Sequence, residues 1–135
     1  MILLDTHILI WAATDDPRLT PKARQMIERA LDNGQPVHFS AISLAEVAIK
    51  ASLAKKSLGV EPDDLRRASL DGGLRELPFV GAHAVALRAL PLHEDHKDPH
   101  DRMLVAQAQV EGLQLVTADA KLERYGSAVL YLKSR

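Results

Sequence analysis

The chain contains no cysteine. That absence excludes a disulfide framework and any thiolate metal site, fits a reducing, cytoplasmic setting, and leaves only oxygen and nitrogen ligands for a metal. A long hydrophobic run is also missing: no stretch of about 18 apolar residues exists to suggest a membrane span. The N-terminus, "MILLDTHILIWAA", carries an acid at position 5 and lacks the basic start and small-residue cleavage site of a signal peptide. Charge of one sign is not in excess. With a formal net charge of −1 at pH 7 the overall field steers the chain toward neither nucleic acid nor a membrane, so any phosphate-binding groove must come from locally clustered Lys and Arg. No linker, internal repeat or low-complexity tract interrupts the sequence.

What remains is an ordinary globular composition, 47% hydrophobic and 26% charged over 135 residues, which predicts one domain spanning 1–135. A chain of that size buries roughly two-thirds of its unfolded surface. "MILLD" reads as a short strand buried on both faces, and "ILIWAA" as the helix it feeds. Thr20 before Pro21 is an N-cap with proline at the first helical position, and the helix "KARQMIERALDN" runs until Gly34 stops it. "PVHFSA" is a second strand, followed by a helix "SLAEVAIKASLAKK" opened by Ser43. A short helix is expected between Leu58 and Gly73, a small strand in "LRELPF" and a helix in "AHAVALRAL". "PHDRMLVAQAQVEG" is a helix closed by Gly112, and "LQLVTAD" and "AVLYL" are two further strands. Alternation of this kind predicts an α/β fold, a three-layer sandwich with a mostly parallel central sheet and helices on both faces. Ligands of such sheets bind outside the carboxyl ends of the strands.

Acids stand at those ends. Asp5 closes the first strand, Glu46 lies in the helix after the second, Asp98 and Asp101 open another helix, and Asp119 follows "LQLVT". Carboxylates brought together repel one another and cost stability unless a cation sits among them, and hard oxygen donors select Mg²⁺ or Mn²⁺. Each acid also has a purely structural reading. Asp5 and Asp119 could cap the helices that follow, and Glu46 could complete a capping box with Ser43 or an ion pair with Lys50. The coincidence argues otherwise, because ordinary caps have no reason to be all acidic. Pro99 makes Asp98 the N-cap and places Asp101 at the third helical position, so Asp101 is the freer ligand of the two.

The stretch "HEDHKDPHDR", residues 93–102, also holds three histidines. His96 and His100 are four apart and, with His93, resemble a three-histidine zinc set. Pro99 starts the helix after His96, so the two imidazoles need not face the same way, and zinc is the weaker reading. His7, His38 and His83 share no spacing and are expected to be packing or surface residues.

The segments "LLDTHILIW" (3–11), "SLAEVAIK" (43–50) and "HKDPHDRMLVAQAQVEGLQLVTAD" (96–119), with the closing strand, resemble a PIN domain of the VapC type, the ribonuclease toxins of bacterial toxin–antitoxin pairs. The resemblance covers essentially the whole chain. It implies an acidic quartet at Asp5, Glu46, Asp101 and Asp119, with Asp98 as an extra acid and Thr6 and Thr117 as polar neighbours. One departure is His100, where similar proteins usually have phenylalanine; no acid is lost by it. The implied activity is Mg²⁺- or Mn²⁺-dependent endoribonucleolytic cleavage, with an antitoxin of the VapB type as partner and a homodimer as the assembly. "ILIWAA" and "AIKASLA" are the candidate dimer surfaces, though Trp11 could equally be core. Lys50, Lys55 and Lys56, on the expected helix of Glu46, and Arg102 beside Asp101 are the candidate RNA contacts; lysines near a helix end are also favoured by its dipole. Two other classes compete. A phosphatase with an aspartate nucleophile would want a second Asp two residues after Asp5, where this chain has His7; a binding module that lost the chemistry would not need every acid, and all are present.

Overall fold

The computed structural model describes residues 1–93 and 98–135. Five short strands, β1 (Ile2–Leu4), β2 (Val37–Ser40), β3 (Arg75–Leu77), β4 (Gln114–Thr117) and β5 (Val129–Tyr131), form one sheet in the order β3-β2-β1-β4-β5. Every neighbouring pair is parallel. Six helices connect them: α1 (Thr6–Thr14), α2 (Pro21–Asp32), α3 (Ala41–Ala51), α4 (Pro62–Asp71), α5 (Gly81–Ala86) and α6 (Pro99–Glu111).

Alternation along the strands divides the interior in two. Leu4, Val37, Phe39 and Val116 pack toward α1, α2 and α4 with Leu9, Trp11, Ile27 and Leu65. Leu3, Leu77 and Leu115 pack toward α6 with Leu104, Val105 and Ala108. Successive strand side chains point to opposite faces, so a central strand covered on both must be apolar throughout, and Ile2, Leu3 and Leu4 are all buried. The three-layer α/β architecture is the one the sequence implies.

Local signals set most boundaries. Thr20 accepts from the Ala23 N–H with Pro21 at the first helical position of α2. Gly112 ends α6 at φ 67°, a conformation costly for any residue with a Cβ.

Three expectations are corrected. The helix carrying Glu46 begins at Ala41, two residues before Ser43, because Ser40 at the end of β2 is the cap: its backbone is extended and its hydroxyl accepts from the Ile42 N–H at 2.9 Å. Ser43 is therefore inside the helix, and no Ser43–Glu46 capping box exists. The same helix stops at Ala51, so Lys55 and Lys56 lie not on it but on a separate 3-10 turn, Ala54–Lys56. Leu53, at φ −115° and ψ 89°, breaks the continuity. The stretch "AHAVALRAL" is likewise divided, α5 giving way to a 3-10 turn at Leu87–Ala89.

Candidate functional site

β1 is the central strand, and its neighbours β2 and β4 bring their own carboxyl ends beside it. Each is followed by an acid. Asp5 directly follows β1, where its N–H donates to the Val116 carbonyl at 2.9 Å and so extends the β1–β4 pairing by one residue. Its side chain is doubly held. Oδ1 accepts from the Thr6 N–H at 2.7 Å, capping α1, and Oδ2 accepts from the Thr117 hydroxyl at 2.6 Å. Thr117 Oγ1 in turn accepts from the Asp119 N–H at 3.0 Å, so one fully buried hydroxyl ties the two acids together. Asp119 caps the 3-10 segment beyond it, accepting from the Lys121 N–H at 3.0 Å. Both structural roles foreseen for Asp5 and Asp119 are present, and neither keeps the acids apart.

Glu46 comes from α3, 3% exposed. Lys50, one turn on, donates to its Oε2 at 2.7 Å. The other oxygen, Oε1, is buried without a hydrogen-bond partner among the described residues. An orphaned carboxylate oxygen in such surroundings costs free energy unless a donor or cation supplies what solvent no longer does. The Thr6 and Ser43 hydroxyls, 2.9 Å apart, join the first turn of α1 to α3 on the Glu46 side. Sequence reasoning missed Ser43 as part of this wall; its spacing of three from Glu46, which suggested a capping box, is equally the spacing of two residues on one helix face.

Asp98 caps α6, accepting from the His100 N–H at 2.9 Å and the Asp101 N–H at 3.4 Å. Asp101 stands at the third helical position, as the proline implies. Burial, together with the negative charges of Asp5, Asp98, Glu46 and Asp119, pushes the Asp101 carboxyl up to about 8. Burial likewise raises Asp5, against the hydrogen bonds from Thr117 and Thr6 that lower it. Lys50 is held above its ordinary range, first by its hydrogen bond to Glu46 and also by the charges of Asp98 and Asp101. Five acids from four chain segments therefore act on one another at one edge of the sheet. Among the described residues no three His, Asp or Glu side chains stand close enough to ligate a single ion directly.

The candidate cations are distributed less uniformly. Lys50 is at the acids. Lys55 and Lys56 are exposed on their own turn, with no bond to the acids. The Arg102 guanidinium donates to the Pro91 carbonyl at 2.7 Å, the Leu90 carbonyl at 3.4 Å and the Tyr125 hydroxyl at 3.3 Å, fastening the segment before α6 to the helix.

His93 and His100, the described histidines of the 93–102 stretch, have different neighbours. His93 lies edge-on to Tyr125 with ring centroids 5.4 Å apart, and His100 has Nδ1 3.6 Å from Asp98 Oδ1. His96 lies outside the described residues. His83 is buried, its Nδ1 accepting from the Val80 N–H and its Nε2 2.8 Å from Glu111, which joins α5 to α6. Of the two apolar stretches proposed for an interface, "ILIWAA" supplies core: Ile8, Leu9, Ile10 and Trp11 are all buried. "AIKASLA" leaves Ile49 and Leu53 about half exposed, at 53% and 49%. No helix among the described residues is long and apolar enough to cross a membrane.

Comparison with known proteins adds an independent line. The PIN domain family model matches residues 2–128. Ribonuclease VapC22 of Mycobacterium tuberculosis is 33% identical over 128 residues, covering 92% of this chain and 91% of that protein. Among solved structures, VapBC2 from Rickettsia felis bound to a DNA fragment from its promoter superposes with a TM-score of 0.68 at 20% identity over 100% of both chains. DNA-bound VapBC from Salmonella typhimurium superposes at 0.58 with 23% identity over 98% of each. At those identities the structural matches speak for the fold.

Proposed function

The chain belongs to the PIN domain family, and from that premise we propose that it is a metal-dependent endoribonuclease, the toxin of a toxin–antitoxin pair. The observation that carries the reading is the convergence of Asp5, Glu46, Asp98, Asp101 and Asp119 at one sheet edge, close enough that the other four oppose ionisation of the half-buried Asp101. So many carboxylates in one place are a liability to a folded chain unless a cation compensates them. The unpartnered Glu46 Oε1 supports the same fit.

Asp5, Glu46, Asp101 and Asp119 would hold Mg²⁺ or Mn²⁺ between them, one or two directly and the others through metal-bound water, with the second oxygen of Asp98 available while its first caps α6. A divalent ion there supplies charge neutralisation for the scissile phosphate and lowers the pKa of bound water toward neutrality. The chain's own part is placement. Thr117 fixes Asp5 relative to Asp119, the first turn of α1 fixes the other Asp5 oxygen, and the β1–β4 pairing sets the separation of the two strands. Lys50 is placed to meet a backbone phosphate that approaches the acids, Lys55 could reach phosphate farther along the strand, and Arg102 serves RNA binding by holding the N-terminus of α6 in position. No ribose hydroxyl is needed as nucleophile, so cleavage leaves a 5′-phosphate.

An antitoxin partner of the VapB type is supported by the VapBC complexes that share this fold. A homodimer would use the exposed Ile49 and Leu53 rather than α1. The reading is tested by incubating the protein with a panel of cellular RNAs in Mg²⁺, Mn²⁺ or EDTA and determining the product ends. Cleavage dependent on metal, leaving 5′-phosphates and abolished by Asp5→Asn, is expected. Cleavage that persists in EDTA, or that leaves 2′,3′-cyclic phosphates, would overturn it.

A further inference from the structure

Beside Asp5 and Asp119 a cleft of about 430 Å³ opens between the start of α1 and the C-terminal segment, walled by His7, Trp11, Arg18 and Ser134 as well as the two acids. Its volume falls in the range of roughly 300–1,000 Å³ common to small-molecule sites. The far wall sets a cation beside an indole. Arg18 Cζ lies 5.2 Å from the centre of the Trp11 ring, close enough for a cation–π contact. Asp16 fixes the guanidinium in that place, accepting from Nε at 3.1 Å and from a terminal nitrogen at 2.7 Å, while the Arg18 N–H also binds Asp16. The arginine side chain remains 61% exposed, and Asp16 engages only two of its five N–H donors. His7 is exposed, one residue beyond Thr6, and its ring is inclined 55° to Trp11 with centroids 6.0 Å apart.

The cleft thus combines carboxylate oxygens, an exposed imidazole and an arginine held over an indole. We infer that it is a nucleotide subsite: a residue of single-stranded RNA adjoining the scissile phosphate lies in it, its base against His7 and its next phosphate on Arg18. Rings that offer a π-face, with a cation tracking the backbone, are the general means of gripping single strands without reading their sequence. The bland alternative is a surface ion pair, Asp16–Arg18, that merely closes the turn after α1. Stability alone would then depend on it.

The inference rests on the nuclease reading, and the experiment separates the two. Trp11 is the chain's only tryptophan, so emission excited at the red edge of the indole band, where the two tyrosines do not absorb, reports on this cleft. A short single-stranded RNA of mixed sequence is titrated into Asp101→Asn protein in Mg²⁺ while emission is followed, and cleavage kinetics are measured in the otherwise unaltered chain. Saturable change in emission is expected. Arg18→Gln and His7→Ala each raise Kd and KM by roughly five- to fiftyfold, with a much smaller effect on kcat and none on the Mn²⁺ concentration needed for half-maximal activity; His7→Phe restores binding. If Arg18→Gln does not fold, emission of the otherwise unaltered protein and the His7 pair decide. The subsite is overturned if RNA binds and is cleaved while Trp11 emission stays unchanged, if both variants leave Kd and KM as they were, or if emission responds to an antitoxin peptide but not to RNA. If the unaltered chain neither binds nor cleaves RNA, the nuclease reading itself fails.

Discussion

Thr117 donates a 2.6 Å hydrogen bond to Asp5 across the β1–β4 pair while accepting one from the Asp119 backbone, so a single buried hydroxyl fixes the relation between acids 114 positions apart in sequence. Leu4 pairs with Val116 in the register of the sheet, which brings Asp5 and Thr117 opposite each other as the next residues along.

Thr117→Val keeps the shape and removes the hydroxyl. It should leave one Asp5 oxygen and the Asp119 N–H unsatisfied at a cost of about 1–3 kcal/mol, and push the Asp5 carboxyl higher still, since the hydrogen bond that lowers it is gone. Partners behind a metal ligand typically matter by about 10–100-fold in metal affinity, and a loss of that size is expected in a Mn²⁺ titration followed by thermal unfolding. Unchanged affinity would remove Thr117 from the site.

Asp101 makes the metal-free protein sensitive to pH in an unusual direction. Its folded-state value of about 8 lies above the ordinary carboxylate value of 3.8, so between those limits the folded state binds more protons than the unfolded one. The stabilising contribution is complete below about pH 4 and is lost as pH rises toward 8, at no more than about 1.4 kcal/mol per pH unit from this group. In EDTA, stability should decline from pH 5 to pH 8; Asp101→Asn should flatten that slope. Excess Mg²⁺ should flatten it too, because metal competes with the proton for the same oxygens.

Among the described residues, Lys50 supplies the one cation bonded to Glu46. Replacing it by methionine leaves a 3%-exposed carboxylate without that partner, and in EDTA the protein should lose up to about 3 kcal/mol of stability. Mn²⁺ at about 100 times its dissociation constant should return roughly 2.7 kcal/mol, a larger gain relative to the starting point than the unaltered chain shows. A variant equally stable with and without metal would mean that no cation takes up the Glu46 charge.

The zinc reading is tested by a different substitution. Changing His93, His96 and His100 together to alanine should leave metal-dependent cleavage within a few-fold of the unaltered protein, since His93 and His100 have separate partners. A loss as deep as that of Asp101→Asn would restore the histidines as ligands.

The parts of this fold that are legible in the sequence are those set by short-range chemistry. Thr20–Pro21 and Gly34 bracket α2, Pro99 and Gly112 bracket α6, and strands apolar on both faces announce a sheet covered on both sides. The convergence of Asp5, Glu46, Asp101 and Asp119 follows from the same pattern, because parallel strands deliver their carboxyl ends to one edge. Where two residues could do one job, the sequence is ambiguous: Ser40 and Ser43 both suit a helix cap, and only the end of β2 decides for Ser40. Long-range commitments are not legible at all. Nothing near Arg102 in sequence shows that its guanidinium binds carbonyls 11 and 12 residues back and a tyrosine 23 residues on. Nor does the spacing of His7 and Arg18 show that Trp11 joins them, since that contact depends on the turn after α1.

The central claim is that the clustered acids form one site in which metal binding and RNA cleavage depend on the same oxygens. It is tested most directly by measuring Mn²⁺ affinity calorimetrically and RNA cleavage in parallel for the unaltered chain and Asp101→Asn. The account predicts saturable binding and metal-dependent cleavage in the first, and at least a tenfold weaker affinity with cleavage reduced by two or more orders of magnitude in the second. Full cleavage by Asp101→Asn, or cleavage by a protein that binds no divalent ion, would contradict it.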